Sequence, residues 1–158
     1  MSLFSFNDDE GNETSTADKV HTVVDYWDGP REGIADYKGQ PHYYKALFDE
    51  QADAWSNTFL LKPIDAETFR LALEAWNIWL KWEAAHHEGR VPLESHPALP
   101  EDRERYKELA ALLAQRLVVD PNQDLSLVGE FLPVNGDTSL RSSRKRWTVK
   151  WIPRLEIV

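Results

Sequence analysis

DAETFRLALEAWNIWLKWEAAHHEG, residues 65–89, holds a helical pattern from end to end and carries three of the chain's seven tryptophans. Asp65 suits the N-cap, where its carboxylate can accept from amides two or three residues on, and Pro63 ends the extended segment before it. Glu67 stands in the first turn, where the helix dipole favours an anion. His86 and His87 stand in the last turn, and Gly89 takes the position that a left-handed cap requires. Between them lie no Gly, no Pro and, past the first turn, only one β-branched residue, Ile78, so nothing resists helix formation. At about 100° per residue the apolar side chains cover more than half of the circumference, leaving Arg70, Glu74, Asn77, Lys81 and Glu88 as the polar stripe. A helix that is apolar over so wide an arc is expected to be sandwiched, between a sheet and a second helix, as the core of the domain.

Working outward from this helix, the flanking segments read as strands. Upstream, residues 20–27, 33–37, 42–48 and 58–62 are rich in β-branched and aromatic residues, and Asp28-Gly29-Pro30 and the stretch 38–41 supply the turns of an antiparallel meander. Downstream, a proline-rich loop leads to a second helix starting near Pro100, with Tyr106, Leu109, Ala110, Leu113 and Leu117 on one stripe. Residues 127–134 and 146–152 are the last two strands. In the final one Trp147, Val149 and Trp151 alternate with Arg146, Thr148 and Lys150, one apolar face and one cationic face that reads as the guard of a sheet edge. The fold class is therefore α+β: a largely antiparallel sheet of about six strands, in the order β-β-β-β-α-α-β-β, packed on the long Trp-rich helix and the second amphipathic helix. Residues 1–18 read as a disordered acidic tail and 19–158 as a single domain.

A chain of 158 residues can bury roughly two thirds of its unfolded surface without a disulfide or metal staple. It has no cysteine, which excludes thiol catalysis, disulfides and Cys-based metal sites. No apolar run approaches a membrane span and the N-terminus lacks a signal-peptide pattern, so the expected setting is the cytoplasm of a bacterium. The net charge of -9 is uneven. Asp8, Asp9, Glu10, Glu13 and Asp18 have no basic counterpart within the tail, while Arg141, Arg144, Lys145, Arg146, Lys150 and Arg154 face only Glu156 in the last stretch. An acidic body disfavours general nucleic-acid binding.

Three constellations could carry chemistry. Glu83, His86 and His87 lie in the apolar sector of the long helix, and Glu-x-x-His spacing can bring a carboxylate and an imidazole to one metal. No second such motif exists, so no metal or other cofactor is expected, and imidazoles capping a helix end explain the pattern more simply. In the meander, Asp25 falls by alternation on the same face as His21, Val23 and Trp27 and could act as an acid or base or orient His42 across the sheet. Against that stands turn chemistry, with Arg31 pairing with a neighbouring carboxylate. Trp27 and Trp55 lie near turns, where flat aromatic faces are free to meet a ligand, and with Arg31 they are the ligand-binding candidates.

The sequence lacks a phosphate-cradling loop, a nucleophile elbow, a dinucleotide fingerprint and a zincin motif. The expectation is a non-enzymatic domain that binds a protein or a small molecule. The alternative is a small enzyme with Glu83 and His86 or His87 at the end of the long helix, helped by His42 or Asp25. Nucleic-acid contact through Arg144, Lys145, Arg146 and Lys150 is a weaker alternative.

Overall fold

In the computed structural model, which describes residues 17–134 and 146–153, the six strands close into a barrel. Strands β1 (Ala17–Tyr26), β2 (Pro30–Tyr37), β3 (Gln40–Asp49) and β4 (Ala54–Pro63) follow one another as hairpins. Strands β5 (Leu125–Pro133) and β6 (Trp147–Pro153) complete the circuit, and every neighbouring pair is antiparallel. The closing seam sets Ala17, Asp18 and Lys19 opposite Lys150, Val149 and Thr148.

This overturns the expectation of a sheet packed on a central helix. The core lies inside the barrel and is made by the strands themselves: Ala35, Tyr44, Ala46, Phe59, Leu61, Leu127, Val149 and Trp151, with Val20, Tyr37, Trp55 and Phe131 packed against them. β6 is likewise no guarded edge, because β5 and β1 hydrogen-bond it on both sides. Closure removes the edges that a six-stranded sheet would otherwise expose.

Two glycines let a barrel of six strands hold so many rings. A Cβ on Gly33 would lie 2.1 Å from the Thr22 carbonyl oxygen and 2.8 Å from Tyr44 Oη. On Gly129 it would lie 2.6 Å from the Trp151 ring and 3.0 Å from Phe59. Tyr44, Phe59, Phe131 and Trp151 therefore meet at the axis, with ring centroids between 5.2 and 6.1 Å apart in tilted or edge-on contacts, the arrangement that ring quadrupoles favour. Their polar ends are satisfied: Tyr44 Oη donates to Thr22 O and Trp151 Nε1 donates to Asp36 O. Burial, reinforced by Glu32, holds the Tyr44 phenol well above its ordinary pKa.

The β1–β2 ladder is broken three times. Val20 pairs with Ala35 and Thr22 with Ile34, so His21 is an extra residue on β1; Val23 pairs with Gly33 and Asp25 with Glu32, so Val24 is another. Asp25 then pairs with Glu32 and Tyr26 with Pro30, which leaves Arg31 as an extra residue on β2. Each bulge re-aims the side chains beside it and sharpens the local bend.

The segment Ile64–Val119, inserted between β4 and β5, forms a second compact unit. It contains α1 (Ala66–His87) and α2 (Arg103–Arg116), joined by two short 3₁₀ turns. Asp65 caps α1 by accepting from Thr68 N, and Gly89 follows it at φ +78°. Arg105 of α2 reaches Glu74 of α1 through two N–H groups, at 2.7 and 2.8 Å. The unit has its own small core of Trp82, Ala85 and Leu99, flanked by Trp79 and Val91.

Candidate functional site

The described residues form a cavity at one end of the barrel. There the β1–β2 turn, the first half of β4, the second half of β5 and the start of β6 surround a cavity of about 380 Å³. Tyr26, Phe59, Phe131 and Trp147 provide aromatic wall, Gly29, Pro30 and Gly129 leave room, and Asp28, Arg31, Asn57 and Glu130 provide the polar groups. The volume lies at the small end of the range for ligand pockets, and the mixture of apolar wall with few polar groups is typical of them.

Arg31 is the unusual member. It is 8% exposed, and a guanidinium that far from water normally has an acidic partner. Here none of the ion pairs among the described residues includes it. Main-chain carbonyls hold it instead: Nε donates to Trp27 O at 2.8 Å, Nη2 to Asp28 O at 3.2 Å and Nη1 to Ser56 O at 3.3 Å. Local sequence explains the cradle. Asp28 (φ +56°) and Gly29 (φ +123°) turn the chain back on itself, so the carbonyls of residues 27 and 28 face the bulged Arg31. The bulge then places the head where Ser56 of β4 can reach it. Carbonyl dipoles replace some of the lost hydration but leave the charge un-neutralised.

Trp147 lines the same cavity, is 8% exposed, and its Nε1–H has no hydrogen-bond partner among the described residues. Tyr26 tilts against its ring at 6.1 Å. At the same end of the barrel, Val24, Tyr26, Trp27, Phe48 and Leu132 are exposed large apolar side chains, with Trp27 at 69% the most exposed of them.

The ligand candidates separate. Arg31 lines the cavity and Trp27 stands on its rim, contributing the carbonyl that holds Arg31. Trp55 is half-buried edge-on against Phe48, at 5.2 Å, and packs on the barrel core. The carboxylate expected beside Arg31 is replaced by carbonyls, because the turn supplies them at the right distance.

The structure does not bring Asp25 and His42 together. The extra residues at 21 and 24 break the alternation that put Asp25 on one face with His21 and Val23. Asp25 is exposed and pairs with Glu32, whereas His42 lies level with Ala35 and Val20, five residues back along β1, or roughly 16 Å. His42 is buried, with Nδ1 donating to Gln40 O and its ring edge-on to Tyr37. Its neighbourhood contains a pairing that alternation could not show, His21 Nε2 to Asp36 Oδ1 at 2.9 Å. Asp18 sits close by, and burial followed by the charge of Asp36 raises its pKa, with His42 acting in the opposite sense.

Glu83, His86 and His87 belong to the helical unit. Glu83 is buried, its carboxylate 3.9 Å from the exposed His87 ring. His86 stacks on Trp82 with ring centroids 5.0 Å apart and donates to the Val91 carbonyl, so it closes the helix end. Among the described residues no three His, Asp or Glu side chains are grouped to hold a metal ion. Of the cationic stretch, Arg144 and Lys145 lie outside the described residues, and exposed Lys150 stands opposite Glu130 across the β5–β6 ladder. Among the described residues no helix is long and apolar enough to cross a membrane.

The sequence pointed at Arg31 but not at the walls around it. Gly129 was the available signal, since glycine inside a strand marks a close approach of backbone, ring or ligand. Comparison with protein-family models, characterised proteins and solved structures finds no match.

Proposed function

We propose that this chain is a non-enzymatic binding module whose barrel takes a small ligand in the cavity beside Arg31. The observation that carries it is the buried, carbonyl-held guanidinium lining a cavity with aromatic walls. Keeping a cation out of water without a counter-ion costs stability, and a site that does so is characteristic of a group kept ready for a partner. Among the described residues the cavity lining has no histidine and no serine or threonine hydroxyl, so these supply no hydroxyl nucleophile with an imidazole base, which favours binding. The exposed apolar rim is the usual surround of such a pocket. A cysteine-free chain suits a reducing cytoplasm, the setting in which this function is placed.

The test is a fragment screen on the full chain, read by thermal shift and by tryptophan fluorescence. Fragments that stabilise the wild type should lose their effect in Asn57→Trp, which fills the mouth from an exposed rim position. No stabilising fragment, or hits indifferent to Asn57→Trp, would count against the cavity as the site.

A further inference from the structure

We infer that the ligand is a flat, apolar molecule bearing a single carboxylate, held by the two unused N–H groups of Arg31; this rests on the binding reading above and specifies its chemistry. A guanidinium has five N–H groups, one on Nε and two on each terminal nitrogen. Nε and Nη2 share one edge of the plane, and both donate to successive carbonyls of the β1–β2 turn, Trp27 O and Asp28 O. Nη1 donates once, to Ser56 O. One N–H therefore remains on each terminal nitrogen, so two charge-bearing donors of one planar group are left for a ligand. Two donors on one guanidinium can serve the two oxygens of a carboxylate.

The surroundings select among anions. Among the described residues of the lining, Arg31 is the one cation, beside Asp28 and Glu130, so a second negative charge on the ligand would find no second cation among them. The whole chain is acidic as well, at -9. A phosphate or polyphosphate is disfavoured on both counts, whereas a carboxylate carries one charge and uses the two free donors fully. The remainder of the ligand is set by Phe59, Phe131, Tyr26 and Trp147, whose faces and edges suit a flat apolar body. The absence of a side chain at Gly129 deepens the cavity where that body would lie.

The probes are 2-naphthoate, its neutral isostere 2-naphthamide, and the dianion 2-naphthyl phosphate, titrated against the full chain by calorimetry and tryptophan fluorescence. Wild type should bind naphthoate at least about tenfold more tightly than either of the others, the difference expected when charge-assisted bidentate bonds are made. Arg31→Gln should erase the preference for naphthoate over the amide. Should that variant misfold, the wild-type comparison decides alone. Equal binding of acid and amide, or tighter binding of the phosphate, would overturn the carboxylate assignment while leaving the cavity as a binding site. If none of the three probes and no fragment from the screen binds, the binding reading falls with it.

Discussion

Gly33 and Asp18 show how single residues constrain this barrel. At Gly33 a methyl group would meet the backbone oxygen of Thr22, which cannot swing aside. Gly33→Ala should therefore cost about 3 kcal/mol or more, the upper end of overpacking penalties, whereas Gly129→Ala, which meets rings able to tilt, should cost about 1–3 kcal/mol. Urea unfolding of the two variants measures the order; the reverse order would show that the ring cluster is tighter than the β1–β2 contact. Asp18 makes a different prediction. Its folded pKa lies above its unfolded one, through burial first and then the charge of Asp36. Its contribution to stability is thus present below the unfolded value and lost as pH rises through the folded value. Asp18→Asn should raise the melting temperature at pH 7 and bring no gain in strong acid, a pattern that a pH series of melting curves will show or refute.

At the scale of elements, α1 illustrates what local chemistry secures. The Asp65 side chain accepts from Thr68 N at 2.8 Å, and that bond, first among several causes, holds its carboxyl below the usual range. This stabilisation exists above the unfolded pKa and disappears as pH falls through the folded one. Asp65→Ala should lower the helical signal and speed amide exchange in the first turn of α1, while Asp65→Asn retains a cap oxygen and most of the protection. The same helix shows why its burial was misjudged from sequence: Trp76 and Trp79 stack on each other at 5.3 Å and stay only partly buried, while Trp82 alone enters a core. A wide apolar arc can be covered by its own rings as well as by a sheet. Strand positions and helix bounds were legible because caps, turns and alternation are local. The bulges at His21, Val24 and Arg31 were not, because an extra residue is defined only by the strand opposite it.

For the whole molecule, the element order was readable and the closure was not. β1 and β6 stand at the two ends of the described chain, and nothing local to either encodes that Asp18 faces Val149. The facts that make closure possible are long-range ones: the rings that fill the interior and the two glycines that admit them. The cavity follows from closure, since residues of β1, β2, β4, β5 and β6 line it only when the circuit is complete. Arg31 was legible as a charged residue beside a turn, but its burial, its carbonyl cradle and its aromatic neighbours were not. The central claim is that the cavity beside Arg31 is the functional site. It is tested most directly by recording the N–H NMR spectrum of the full chain with and without 2-naphthoate or the best stabilising fragment. The account predicts that the Arg31 Nε–H and Trp147 indole signals shift together with the amides of Gly29 and Gly129. Shifts confined to Glu83, His86 and His87 would contradict it and move the site to the helical unit.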